Sequence, residues 1–569
     1  MTSLTAEPGR PPAPPGQEPG GRLRAALRRH LSRRRRLLVS LAVTALLAQL
    51  AAVMVSTAVA QSPTTDEPVY AASGALYFKE HDLRYNAEHP PLGKLIIGAG
   101  PVLAGARVDS GFTGDQYAAG RHLLYDWGND ARDLMLAARL PVIVLTVLFG
   151  LVLFAFARDL TGPAGGLAAL TLYAFSPDVI AHGSLATLDV PMAGFLLTSV
   201  WLLWRARRRP RLYVPLAGAA LGAALATKMS ALPAVPVLMG LAAVSVWSAS
   251  RRTSGPSGAR RHLAAGALSA AAVALIAVAV VWATYLAVDP RLRWTTPADV
   301  PDVGGLRGLA IALLPFPEPF QDGMRLQFGL EGLHWTGFLF GQTYEGPLWY
   351  YLPAALLVKT PLGMLALWAL GVAALWAVPR LRPAAPYLLV PAVVLLAAAS
   401  TGSRNFGVRY AIFIPMFLAV AAAGATLLRR RWALPVAGAL LLFVAVSSAR
   451  TYPFYLPYSN EAFGGPAKTH LRLHDSNVDW GQDLGRLAER LRERYPGEPV
   501  WLVYKGSADP SYYGIDASDP REAPPGQVRG LLVLSDSWIA KSDPRLTPLI
   551  ATSERIDAVG HSVTIFRRR

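Results

Sequence analysis

The chain has 569 residues, 53% hydrophobic, 16% charged and none cysteine, with a formal net charge of +18. A soluble protein carries roughly a quarter charged residues, so this composition excludes a large soluble enzyme, and the lack of cysteine excludes disulfides, thiolate catalysis and zinc–thiolate sites. The positive charge does not point to nucleic acid, because the arginines fall in short tracts between long apolar runs, the pattern of cytoplasmic loops in membrane proteins.

In chain order, residues 1–36 are rich in Pro, Gly and Arg and are expected to form a disordered basic cytoplasmic tail ending in Arg33, Arg34, Arg35 and Arg36. The run at 37–59 has the basic front and Ala-Val-Ala end of a signal peptide. It is longer than the ~7–15 residues of a signal core, however, and is read as a first membrane span. Ten further apolar runs are expected to span, at residues 135–156, 165–180, 190–204, 213–226, 231–247, 263–288, 348–378, 387–399, 410–428 and 434–448. With the N-terminus inside, Arg158 and the basic segments 205–211, 251–262, 380–382 and 429–431 fall in the cytoplasm, and the long acidic loops fall outside. The expectation is a multi-pass protein of the plasma (inner) membrane with about eleven helices and an extracytoplasmic C-terminus. The short apolar stretch at 95–104 is expected to lie on the membrane or re-enter it.

Three outer segments stand out: loops 61–132 and 289–346, and the tail 451–569. In the tail, Leu484, Leu487, Ala488, Leu491 and Tyr495 have helical spacing, and 500–504, 531–534 and 563–566 read as strands. The organisation is thus a transmembrane domain at 37–450 followed by a small extracytoplasmic α/β domain at 451–569.

The chemistry-bearing residues collect at the outer ends of the spans. Asp66 and Glu67 follow the first one. They suit a solvated helix start or a carboxylate held near the bilayer to take a proton from an acceptor hydroxyl. Glu88, His89 and Lys94 flank Pro90-Pro91, a bend fixed by two prolines. The basic groups there suit phosphate binding, or Lys94 reaches for headgroups. Asp189 opens the span at 190, as a helix cap or as an acid kept at the membrane edge for use. Arg139, Lys228 and Lys359 lie within or against apolar sequence, and Arg404 and Arg409 precede the run at 410. Five cations on the outer side run against the positive-inside bias and suit a leaving phosphate facing a carboxylate base.

Taken in order, Asp66-Glu67, His89-Pro90-Pro91-Leu92-Gly93-Lys94, Leu188-Asp189, Thr227-Lys228, Pro347-Leu348-Trp349-Tyr350-Tyr351-Leu352 with Lys359-Thr360-Pro361, and Gly407-Val408-Arg409-Tyr410 resemble the protein O-mannosyltransferase family (glycosyltransferase family 39) and its bacterial relatives. The tail segment from Asp475 through Asp479-Trp480 to Leu484 resembles bacterial members too. The resemblance spans roughly residues 37–513 and implies a GT-C type membrane fold and a donor that is a sugar on a polyprenyl phosphate. It also implies an inverting transfer to a hydroxyl of a protein or glycan at the outer membrane face, with mannose as the default sugar. Asp66 would be the general base, Glu67 its support, and Asp189 a third catalytic acid. His89, Lys94, Arg139, Lys228 and Arg409 would bind donor phosphate. Glu88-His89-Pro90 matches a Glu-Lys-Pro of the lipid A aminoarabinose transferases, a step at which the acid can contact a divalent metal; His89 here replaces the lysine. Segment 289–346 is too short for the β-trefoil domain of the eukaryotic members. Asp479 and Trp480 are candidates for binding an acceptor sugar, or for capping the helix that starts near Asp483. The competing classes are a polytopic transporter or lipid flippase, and a carrier-lipid-binding relative without catalysis. The first is disfavoured because the charged motifs gather at one face rather than at the midplane, and the second by the presence of all three acids.

Overall fold

The computed structural model describes residues 19–254 and 258–569. Residues 1–18 of the expected disordered tail lie outside them. The remainder of that tail is helical: α1 runs Pro19–Ala60, because its Leu, Ala and Arg are strong helix formers. Then come α2 (Glu67–Glu80), α3 (Pro91–Leu103), α4 (Gln116–Arg121), α5 (Ala131–Thr161), α6 (Pro163–Ala174), α7 (Pro177–Gly183), α8 (Asp189–Ala206), α9 (Pro210–Thr227), α10 (Ala234–Ser254) and α11 (Ala259–Val288). Segment 289–346 holds α12 (Gly305–Leu313), α13 (Glu318–Glu331) and the hairpin of β1 (Thr336–Leu339) with β2 (Gln342–Glu345). After it run α14 (Tyr351–Lys359), α15 (Leu362–Ala377), α16 (Ala385–Ala399), α17 (Phe413–Ala422) and α18 (Ala433–Thr451).

The expected count of about eleven spans is not what forms. Among the described residues, six helices are long and apolar enough to cross a membrane: Arg33–Ala60, Ala131–Thr161, Ala234–Arg252, Ala259–Val288, Arg382–Ala399 and Ala433–Thr451. Two bent pairs raise the number to eight if each is one span. The run at 165–180 breaks between α6 and α7 by 61°, and the run at 348–378 breaks between α14 and α15 by 116°. Both breaks precede a proline, Pro177 and Pro361, which removes a backbone donor and drives the preceding residue to extended geometry. Ser176 and Thr360 accordingly have ψ of 117° and 130°. The run at 410–428 yields only the ten-residue α17 between two tighter turns. The runs at 190–204 and 213–226 form α8 and α9, of 18 residues each, whose ends carry Asp189, Arg205 and Pro210-Arg211. Apolar runs in the sequence thus mark burial in protein as well as burial in lipid. Where lipid is the solvent, the surface stays apolar: only 22% of the α1 window and 28% of the α11 window are covered by protein.

The stretch at 95–104 becomes α3, packed between α2 and α5. Its approach to α2 requires glycine on both sides. A Cβ on Gly98 would stand 2.4 Å from the Gly74 carbonyl carbon, and one on Gly74 would stand 2.1 Å from the Lys94 carbonyl oxygen.

The tail folds as a mixed α/β domain. It contains α19 (Leu484–Arg494), β3 (Val500–Val503), β4 (Ala517–Ser518), β5 (Gly530–Ser535), α20 (Asp536–Ala540), α21 (Thr547–Ala551), β6 (Glu554–Val559) and β7 (Val563–Arg568). The sheet order is β4-β3-β5-β7-β6, parallel around β3 and antiparallel around β7. Leu484, Leu487, Ala488 and Leu491 cover one sheet face with Leu531, Val533 and Ile565; Leu532, Leu534, Leu546 and Leu549 fill the other. The domain is tied to the end of the first span by backbone bonds: Ser62 N–H donates to Gln482 O (3.0 Å) and Thr65 N–H to Trp480 O (3.0 Å).

Gly98→Ala should overpack the α2–α3 contact and lower stability by about 1–3 kcal/mol. The thermal midpoint of the purified protein in detergent reads this, and an unchanged midpoint would show that the helices can separate without loss.

Candidate active site

The adjacent acids Asp66 and Glu67 have opposite fates. Glu67 is fully buried and bidentate with Arg139 of α5, whose Nε donates to Oε1 (2.7 Å) and whose NH2 donates to Oε2 (2.6 Å). The other Arg139 donors reach the carbonyls of Ala58, Gln61 and Ser62. Glu67 also accepts from Thr64 N–H (2.8 Å), the Thr64 hydroxyl (3.0 Å) and Ala186 N–H (2.7 Å). Burial pushes its carboxyl upward, but the Arg139 charge and these donors outweigh it and hold the group below the usual range. Every hydrogen-bonding direction of the pair is consumed within the protein. Neither Glu67 nor Arg139, which the sequence offered as a phosphate ligand, is among the residues lining the cavity that Asp66 borders.

Asp66 instead borders a cavity of about 600 Å³. Its Oδ2 accepts from Arg409 NH1 at 2.7 Å, and its side chain is 28% exposed. The Arg409 guanidinium lies over Trp480, 4.2 Å from the ring centroid. The same cavity is lined by Glu88, His89, Lys228, Arg307, Glu331 and Arg404, and its apolar lining includes Leu232, Pro233, Leu395, Ala398, Ala399 and Phe413. Five of the expected site residues (Asp66, Glu88, His89, Lys228 and Arg409) therefore share one space.

The others stand behind it. Asp189 is buried and accepts from Lys228 Nζ at 2.6 Å, which holds the ammonium at the cavity wall beside the Tyr410 ring. Lys94 is buried and donates to the carbonyls of Asn86 and His89, both at 2.6 Å, so it shapes the loop that presents Glu88 and His89 instead of meeting ligand itself. Lys359 donates to the carbonyls of Leu456 and Asn477 and faces Asp178 at 3.7 Å. The His89 ring is held well below its usual pKa, by burial first and then by Lys228, Lys94, Arg404 and Arg409, and is neutral at pH 7. It offers a hydrogen bond, not a charge.

Glu88 was a candidate metal ligand. Its carboxylate accepts from Asn86 Nδ2 at 3.0 Å, and burial raises its pKa against the opposing pull of Lys94. Among the described residues no three His, Cys, Asp or Glu side chains gather as a metal site.

Asp479 and Trp480 are buried at the joint between the membrane part and the α/β domain, 1% exposed each, and do not line the cavity. Asp479 Oδ2 has no hydrogen-bond partner, and burial pushes the carboxyl up to about 8. Arg404 was legible in the sequence as one of the outer cations, but its partners were not: its Nε donates to Glu331 Oε1 (2.7 Å) and its NH2 to Gln327 Oε1 (2.5 Å), both on α13.

Residues 42–289 match the family model described as dolichyl-phosphate-mannose-protein mannosyltransferase. The match covers less than half of the chain and includes Asp66, Glu88, His89, Asp189 and Lys228, but stops short of Arg404 and Arg409. Solved structures that align with the chain include ArnT from Cupriavidus metallidurans in the apo state (16% identity, 92% of this chain and 97% of that one, TM-score 0.45). The same protein bound to undecaprenyl phosphate aligns with equal coverage and identity and a TM-score of 0.46. The S. cerevisiae protein O-mannosyltransferase Pmt1–Pmt2 complex bound to the sugar donor aligns over 44% of this chain and 33% of that one, at 17% identity and a TM-score of 0.34. A comparison with curated protein sequences gives no match.

Arg139→Ala should destabilise the protein by about 3–5 kcal/mol, because it strands a buried carboxylate; chemical denaturation of the purified protein measures this. For Asp479, the folded protein holds a proton between about pH 4 and pH 8 that the unfolded chain has released, so stability falls as pH rises through that window. Asp479→Asn should flatten that slope in thermal midpoints taken from pH 5 to pH 9.

Proposed function

We propose that the protein is a GT-C glycosyltransferase that moves a sugar from a polyprenyl-phosphate carrier to a hydroxyl acceptor with inversion, at the extracytoplasmic face. The observation that carries this reading is one cavity bordered by a partly exposed carboxylate, Asp66, by cations that include Lys228, Arg404 and Arg409, and by apolar side chains from α16 and α17. Water and hydrocarbon must meet at such a site, because the sugar needs the first and the prenyl chain the second.

The chemistry follows from those groups. Arg409 holds Asp66 by one oxygen and leaves Oδ1 to accept the proton of the acceptor hydroxyl. As that proton moves, the acceptor oxygen attacks the anomeric carbon. The bond from that carbon to the phosphate oxygen breaks, and the phosphate departs with the electron pair. Lys228, Arg404 and Arg409 stabilise the charge that develops on it, an effect strengthened by the surrounding low dielectric. A single displacement inverts the anomeric centre. His89, neutral, donates to or accepts from the sugar. Glu67, Arg139, Lys94 and Asp189 act as positioning residues that hold Asp66, the 86–89 loop and Lys228 in place.

The arginine-rich turns lie at the opposite ends of α8, α10 and α16 from this cavity. By the positive-inside rule, those turns are cytoplasmic, and the cavity and α/β domain extracytoplasmic. Mannose is the proposed sugar, from the resemblance of the motifs and the description of the matching family model. The proposed acceptor is a hydroxyl of a protein or glycan in the envelope.

Reconstituted protein supplied with polyprenyl-phosphate mannose and envelope acceptors should transfer the sugar, and Asp66→Asn should slow transfer by about 10²–10⁴-fold without loss of folded protein. Arg404→Ala should raise KM for the donor more than it lowers kcat. Turnover retained by the Asp66→Asn variant would remove the carboxylate from the mechanism.

A further inference from the structure

Six arginines converge on a second cavity, of about 440 Å³. Arg205, Arg207, Arg208 and Arg209 come from the end of α8 and the turn that follows; Arg252 comes from the end of α10 and Arg380 from the turn before α16. One carboxylate, Asp159, lines the same space. It is already engaged by Arg205 Nε at 3.4 Å and by the Trp201 indole at 3.1 Å. Arg380 donates to the Leu160 carbonyl. Arg207, Arg208 and Arg209 have no ion-pair partner among the described residues. The Arg207 guanidinium lies over Trp204, 4.4 Å from the ring centroid, and that of Arg205 lies 5.1 Å from Trp201 and 5.0 Å from Tyr213. Aromatic faces thus hold both guanidiniums, that of Arg205 together with Asp159.

Positive charge gathered in a concavity with one acid is self-repelling, and a bound anion relieves it. Planar forks suit phosphate oxygens above other anions. Position narrows the source. Pro233, just before α10, lines the candidate active site and Arg252 near the end of α10 lines this pocket; Ala399 at one end of α16 and Pro383 just before its other end do likewise. Both helices are long and apolar enough to cross a membrane, and at 1.5 Å per residue the 19 residues Ala234–Arg252 span about 28 Å, close to the thickness of a bilayer hydrocarbon core. The arginines therefore lie at the headgroup level of the opposite leaflet.

We propose that this pocket binds the phosphate of an anionic phospholipid in the leaflet opposite the candidate active site. The assignment does not depend on the glycosyl-transfer reading. It gives the basic turns a role beyond setting orientation, as a lipid clamp on the far ends of the same helices, α8, α10 and α16, that border the first cavity.

Native mass spectrometry of the full-length protein in detergent, titrated with phosphatidylglycerol, cardiolipin and phosphatidylcholine, tests this. Anionic lipids should give adducts at concentrations where phosphatidylcholine gives none. The triple variant Arg207→Ala, Arg208→Ala, Arg209→Ala should weaken them about hundredfold, while Arg211→Ala, outside the pocket, leaves them unchanged. Should the alanine variant fail to fold, the corresponding triple lysine variant keeps the charge but loses the forks, and adducts of intermediate strength support the site. A parallel thermal-shift arm uses inorganic pyrophosphate. Stabilisation by pyrophosphate that the triple variant abolishes, without lipid adducts, supports a phosphate site fed by a soluble ligand. Equal binding of phosphatidylglycerol by the wild type and both triple variants, or equal binding of neutral and anionic lipid by the wild type, overturns the proposal.

Discussion

The site is organised around an ion pair that never meets solvent. Glu67 and Arg139, 0% and 1% exposed, join the end of α1, the start of α2, the middle of α5 and the turn before α8 in one hydrogen-bond network. An isolated charge at such depth is prohibitive, and even a pair gains little net stability. What the pair provides is definition. A bidentate fork whose spare donors all find carbonyls has one low-energy geometry. Because Asp66 is the next residue along, fixing Glu67 fixes where the neighbouring carboxylate stands.

From that anchor the cavity is assembled by pairing charges across distant parts of the chain. Asp66 meets Arg409, Asp189 meets Lys228, and Arg404 meets Glu331. Each cation is held at the wall by a carboxylate beside or behind it. The cavity thus presents positive charge without the cost of an unpaired buried ion. The C-terminal domain takes part through its joint rather than its surface: Trp480 supports Arg409, and its backbone carbonyl receives Thr65 N–H beside Asp66. Removing the domain would remove the floor under Arg409.

Two solvents shape the rest. Helices that face lipid are long and apolar, such as α1 and α11. Helices that face protein are short or broken, and their irregular ends supply the polar groups. The bend after α14 puts Lys359 within reach of the Leu456 and Asn477 carbonyls. The break between α9 and α10 puts Lys228 at the cavity. Irregular backbone in a membrane protein is tolerated where it is buried in protein or lines a cavity, and Lys359 and Lys228 stand at such breaks, the first buried and the second lining the cavity.

Composition and the spacing of apolar residues determined the class of molecule: a helical membrane protein with an α/β tail whose helix at 484 and strands at 500, 531 and 563 stand where the pattern put them. Those features depend on the immediate neighbours of each residue, which a sequence displays. The number of crossings did not follow, because an apolar run looks the same whether lipid or protein covers it. Nor could the motifs tell that Arg139 is spent on Glu67 while Lys228 is held for the cavity, or that Asp479 and Trp480 are buried at a joint. Each of those outcomes is set by a partner tens to hundreds of residues away, and only the folded chain brings charge to charge.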